Sequence, residues 1–210
     1  MINSQHIYID GTFITTKDYY QLIVIMYYDT NANKKIPGCY ILINNKSKQG
    51  YLKAFSAFKR LLTIENTIEI NIKSITSDFE EALMNAINES FPKIRKVGCL
   101  FHYIKQLRLN MNKKGLINEN FNHKEFLTDL SSIPFKINND KYLLSNIFSV
   151  YINRYKKDKH ISDLLESFKT YYNNTWKKFL INGALNYYNI SKLERTNCYL
   201  ENYNKRIKKN

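Results

Sequence analysis

The sequence predicts an α/β fold: a mixed sheet of three antiparallel strands and then two parallel ones, with an all-helical insertion before the last helix. Three observations predict it. Short apolar runs of strand length alternate with polar links over the first hundred residues, and from Gln49 helical periods begin to alternate with further strands. From about Asn112 to Asn189 strand-like alternation disappears and only helical spacing remains. At 210 residues the chain can bury a substantial core. We therefore divide it into a core (1–111), a helical insertion (112–190) and a C-terminal helix that completes the core (191–210).

Ile7 to Phe13 (IYIDGTF) opens with a short apolar strand that delivers Asp10 to its C-terminal end, where Gly11 leaves the backbone free to turn beside the acid. An acid there can hold a metal, but Asp-Gly is also a common turn dipeptide. Tyr19 to Tyr28 (YYQLIVIMYY) is apolar enough for a central strand, and Gly38 to Ile43 (GCYILI) is the third. The link DTNANKKIPG has loop composition. Gln49 to Leu62 then places Tyr51, Phe55, Phe58 and Leu62 on one helical face.

Ile70 to Thr76 (INIKSIT) is the fourth strand and runs directly into Ser77, Asp78 and a helix ending near Ser90, with Phe79, Ala82, Leu83, Ala86 and Ile87 as its apolar stripe. Ser77 with Glu80, and Asp78 with Glu81, have the spacing of a capping box, so Asp78 also reads as a helix cap. Phe91 and Pro92 end that helix; Arg95 to Gly98 is the fifth strand, followed by Cys99 and a helix to Met111. In the insertion, Leu143, Ile147 and Tyr151, then Leu164, Phe168 and Tyr171, then Trp176, Phe179 and Leu180 imply three or four helices. Trp176 reads as a core anchor or as a base-stacking surface. A last helix, about Thr196 to Lys209, carries Asn197, Glu201, Asn204, Lys205 and Lys208 on one face; Glu201 there is either a surface partner for a lysine or a ligand.

Three antiparallel strands, a helix and two strand-helix units form the succession of an RNase H-like domain. If the fourth strand lies parallel beside the first, with a right-handed crossover, Asp10 and Asp78 become neighbours. Two carboxylates at adjacent strand ends make a metal site.

Lys and Arg outnumber Asp and Glu by 32 to 18, a formal charge of +14, which calls for a polyanionic partner. Nucleic acid fits better than a membrane surface, because no basic amphipathic helix rich in Trp and Leu is present. The longest apolar run, Leu22 to Met26, is far short of a membrane span, and MINSQH lacks the regions of a signal peptide. Cys39, Cys99 and Cys198, odd in number and far apart, suit a reducing, intracellular compartment.

The segments DGTF, SDFEEAL, FPKIRKVGCLFHYIKQL and ERTNCYLENYNKRIK, in that order, resemble the catalytic core of the Mutator-like (MULE) transposases over Ile7 to about Met111 and Arg195 to Lys209. The resemblance implies a DDE triad of Asp10, Asp78 and Glu201 holding Mg²⁺ or Mn²⁺ for two-metal phosphoryl transfer on double-stranded DNA. It also implies Cys99 and His102 as an accessory Cys-x-x-His element. Glu194 is the competitor for the third acid. By itself a Cys-x-x-His pair is half a zinc site, so His102 is open to a structural or DNA-positioning role and Cys99 to that of a buried thiol. Lys105, Arg108, Lys205 and Lys208, with Arg206 and Lys209, are candidate phosphate contacts or ordinary surface.

The chain starts only a few residues before the first acidic strand, leaving no N-terminal zinc-binding or helix-turn-helix module, so the expectation is a truncated, decayed or domesticated catalytic core that depends on a homo-oligomer or a full-length transposase for end recognition, acting in the nucleus if the source is eukaryotic. A non-catalytic DNA-binding protein with the same fold and a hydrolytic RNase H-like nuclease are the alternatives.

Overall fold

The computed structural model describes residues 5–13, 19–64, 72–117, 119–136 and 142–207. Five strands, β1 (His6–Phe13), β2 (Gln21–Asp29), β3 (Lys34–Ile43), β4 (Ser74–Ser77) and β5 (Arg95–Gly98), form one sheet in the order β3-β2-β1-β4-β5. The first three are antiparallel; β4 pairs parallel with β1, and β5 parallel with β4. This is the RNase H-like arrangement that the order of elements implied.

Alternation along the strands assigns each face its cover. Ile7, Ile9, Ile23, Ile25 and Ile75 point to one side, where they are buried with Tyr51, Phe55, Phe58 and Leu62 of α1 (Lys48–Ile64) and Leu83, Ala86 and Ile87 of α2 (Glu81–Ser90). Each such side chain contributes about 1.5–3 kcal/mol by leaving water. Tyr8, Val24 and Met26 point to the opposite side and are buried against Leu200 of α8 (Cys198–Ile207). Because both faces of β2 are covered, its centre is apolar without alternation.

Three local expectations are corrected. The loop between β2 and β3 is only Thr30 to Asn33, since β3 begins at Lys34 and runs through Pro37. Proline is tolerated because β3 is an edge strand and the register shifts at Ile25/Met26. Nor does the capping box form. Glu80 is the N-cap of α2 with no side-chain cap bond, while the Ser77 hydroxyl donates to the Asp78 carbonyl (3.1 Å) and the Met84 sulfur. The fourth strand is shorter than Ile70 to Thr76, and residues 70 and 71 lie outside the described part.

The chain divides into two compact units, residues up to Cys99 together with those from Ser191 on, and Leu100 to Ile190. The second unit comprises α3 (Leu100–Lys113), α4 (His123–Lys136), α5 (Leu143–Arg154), α6 (Lys159–Thr175) and α7 (Lys177–Ile181). The sequence reading assigns α3 to the core; its contacts place it with the later helices. Its buried Tyr103 donates to the Leu130 carbonyl (2.8 Å), meets the Tyr172 hydroxyl (2.7 Å) and lies edge-on to Trp176. Trp176 is 2% exposed and its Nε1 donates to the Tyr171 hydroxyl, as a core anchor does. No described helix is long and apolar enough to cross a membrane.

Candidate metal centre

The parallel pairing of β1 and β4 sets the position of the first two acids. His6 pairs with Ser74 and Tyr8 with Thr76, an offset of 68 residues that also separates Asp10 from Asp78. Neighbouring strands lie about 4.8 Å apart, so two acids in line across this pair are near neighbours. β4 ends at Ser77, whereas β1 runs on to Phe13. Asp10 therefore sits inside its strand, past the last β1–β4 bridge, and is paired on the other side with Val24.

Gly11 is likewise inside the strand, opposite Ile23, and turns nothing. A Cβ there would meet Gln21 Nε2 at 1.7 Å and Gln21 Cδ at 2.6 Å. The glycine is needed because the buried Gln21 side chain crosses it on the way to Tyr51, whose hydroxyl donates to Gln21 Oε1 (2.9 Å).

The third acid arrives on α8, which is fastened to β1 at three points. Leu200, fully buried, packs on Tyr8, Val24 and Met26. Asn197 Nδ2 donates to the carbonyl of Ile9, the residue before Asp10 (3.1 Å), and Asn204 Nδ2 donates to Asp10 Oδ2 (2.9 Å). Asn197, Leu200, Glu201 and Asn204 follow one another at helical steps of three and four, so Glu201 shares the face that meets the strand.

The buried Asp10 carboxyl feels two other acids. Burial, then the charges of Asp78 and Glu201, push Asp10 up to about 7; the Asn204 amide and the Gly11 backbone N–H pull it down. Asp78 is also raised, mainly by burial, against a bond from the Glu80 N–H (3.1 Å) and the charge of Lys46. Like charges in a desolvated site raise one another's pKa. A divalent cation removes the conflict, and all-oxygen carboxylate donors suit a hard ion such as Mg²⁺ or Mn²⁺.

Glu194 goes elsewhere. It lies in a single 3₁₀ turn (Lys192–Arg195), accepts from Ser74 (2.9 Å) and Ser191 (2.9 Å), and stands 3.5 Å from His6 Nδ1. His6 and Ser74 are the first residues of β1 and β4, at the far end of the strand pair from Asp10 and Asp78.

Cys99 is buried, and its sulfur accepts the Asn197 backbone N–H (3.2 Å). Cys99 and Glu201 offer ligand atoms within 4.8 Å of one another, while His102 lies on α3 in the other unit. Lys105 and Arg108 are exposed on α3, with Lys105 over the Phe101 ring. Lys205 is in the last turn of α8 with its side chain outside the described part, and Lys208 and Lys209 lie outside it altogether.

Sequence reasoning missed Lys46 and Glu80. Lys46 Nζ donates to Glu80 Oε2 (2.9 Å), and Tyr51 donates to Glu80 Oε1 (2.8 Å), so this pair flanks Asp78. No spacing signal links a loop lysine to an acid 34 positions later.

Residues 6–106, close to half the chain, match the MULE transposase domain. The match takes in Asp10, Asp78, Cys99 and His102 and ends well before Glu201. Among curated proteins nothing matches the chain.

Proposed function

We propose, from the membership of residues 6–106 in the MULE transposase domain family, that the chain carries a DDE centre for metal-dependent cleavage and strand transfer on double-stranded DNA. The observation that supports this most is the field of Asp78 and Glu201 at the buried carboxyl of Asp10. A buried carboxyl in the field of two more is costly unless a cation joins them.

Asp10, Asp78 and Glu201 would hold Mg²⁺ or Mn²⁺. When bound, the ions polarise a phosphodiester and lower the barrier to its in-line displacement. The residues supply the rest. β1 and β4 give Asp10 and Asp78 a rigid base, α8 brings Glu201 over them, and Asn204 with the Gly11 N–H orients Asp10. The formal charge of +14 supplies long-range attraction for DNA.

The test is Mg²⁺- or Mn²⁺-dependent cleavage of duplex DNA by the wild type, abolished in Asp10→Asn, Asp78→Asn and Glu201→Gln. Joining of a supplied 3′ end to target DNA distinguishes a transposase from a hydrolytic nuclease. DNA binding with no cleavage under any divalent ion overturns the enzyme reading and leaves a DNA-binding protein.

A further inference from the structure

We infer that Asn204 is a positioning residue of this centre, which clamps one oxygen of Asp10 so that the other is presented to the cation. The inference rests on the reading of the three acids as a metal site and extends it to a residue outside the triad.

Asn204 is 5% exposed, and its Nδ2 donates to Asp10 Oδ2 at 2.9 Å. An aspartate whose Oδ2 is held by the Asn204 Nδ2 donor cannot rotate about its last bond without losing that bond. Free rotation is what a cation-binding carboxylate must give up on binding, and a clamp made beforehand removes that cost.

A purely structural amide would be expected to use both ends. Asn204 does not: its Oδ1 is buried with no hydrogen-bond partner among the described residues. An unsatisfied buried carbonyl costs about 1–3 kcal/mol. That loss at the acid cluster is the kind a site bears where an oxygen acceptor faces a ligand. Geometry makes the arrangement economical. Glu201 and Asn204 are one turn apart on the same helical face, so α8 brings both the third acid and the clamp of the first. Asn197, one turn before Glu201, fixes the helix to the Ile9 carbonyl and so sets the reach of Asn204.

The experiment measures Mn²⁺ affinity of the full chain by the loss of the free-ion EPR signal, for wild type, Asn204→Leu and Asn204→Ser, with Asp10→Asn as the site control. Outer-shell partners of metal ligands are worth roughly ten- to a hundredfold in affinity. Asn204→Leu, close to asparagine in shape, is expected to bind Mn²⁺ at least about tenfold more weakly while the metal-free melting temperature moves little. In cleavage assays the half-saturating Mn²⁺ concentration rises and the rate at saturating Mn²⁺ largely recovers, which a merely structural loss would not produce. If Asn204→Leu does not fold, Asn204→Ser carries the same expectation. Wild-type affinity in a folded Asn204 variant overturns the inference alone. Absence of Mn²⁺ binding by the wild type overturns the metal-site reading and this inference with it.

Discussion

The two ends of the β1–β4 pair use similar residues to opposite effect. At the N-terminal end His6, Ser74, Thr76 and Glu194 close on one another: Ser74 Oγ lies against His6 Nδ1 and donates to Glu194, and the Thr76 hydroxyl meets His6 Nε2 (3.0 Å) and the Glu194 carbonyl. Lys35 joins them, over the Tyr8 ring at 3.6 Å and donating to the Thr196 carbonyl. Burial lowers His6 to about 4, so its ring is neutral at pH 7, and lowers Lys35 to about 8, which leaves its ammonium mostly charged. At the C-terminal end the buried Asp10 feels the charges of Asp78 and Glu201, and Lys46, whose charge Asp78 feels, is bonded to Glu80. One segment feeds both ends, Glu194 to the first and Glu201 to the second. The difference teaches that an acid's partners, not its spacing from a strand, separate a structural glutamate from a candidate ligand.

The sharpest break in this comparison is catalytic. Asp10→Asn and Asp78→Asn are expected to lower metal-dependent cleavage by at least about a thousandfold, since metal stabilisation is worth several kcal/mol at about 1.4 kcal/mol per tenfold. Glu194→Gln keeps the rate within a few-fold. Equal losses from both ends, in initial rates on one duplex, would erase the distinction.

Next in size is the helix that serves both ends. Leu200→Ala removes a fully buried side chain between α8 and the sheet and is expected to cost about 2–5 kcal/mol in denaturant unfolding.

Both ends are expected to respond to pH, with opposite sign: His6, lowered to about 4 from 6.5, adds stability as pH rises from about 4 to 6.5, while the acid end loses it. Asp10 has its folded pKa raised to about 7 from an ordinary 3.8, so the fold holds a proton that the unfolded chain has released. Its contribution is present below about pH 4 and is lost as pH rises through 7. Without divalent ion, the stability of the wild type relative to Asp10→Asn should fall between pH 5 and pH 8 by no more than about 4 kcal/mol, the His6 contribution being common to both. Added Mg²⁺ should restore what high pH removes. A difference between wild type and Asp10→Asn that rises with pH over that range would contradict the raised Asp10 carboxyl.

Smaller again is the support beneath Asp10. Gly11→Ala forces a Cβ into Gln21 and is expected to cost about 1–3 kcal/mol. Adding Gln21→Ala should recover part of that loss, and a strictly additive double mutant would show that the two residues do not meet.

Much of the fold was legible in the chain itself. Period-two runs rich in Ile and Tyr, the switch to helical spacing at Gln49, and Tyr51, Phe55, Phe58 and Leu62 on one face depend on local chemistry alone, because side-chain direction follows from backbone repeat. Asp78, just past the end of β4, was visible for the same reason, whereas Asp10, read as a strand end, lies inside a strand that runs on to Phe13. Loop boundaries were less so. A proline and lysines at positions 34–37 look like a turn until one knows that the strand is at an edge.

Tertiary structure decided the remainder. Whether Glu194 or Glu201 reaches the acids depends on where a 3₁₀ turn and a helix dock across more than a hundred residues of intervening chain. The role of Gly11 depends on a glutamine from another strand, and that of Asn204 on an acid 194 positions earlier. A sequence specifies repeat and face through bonds between near neighbours. Which charges share a buried volume is settled only when distant elements pack, and the cost of desolvating them then makes that placement chemically decisive.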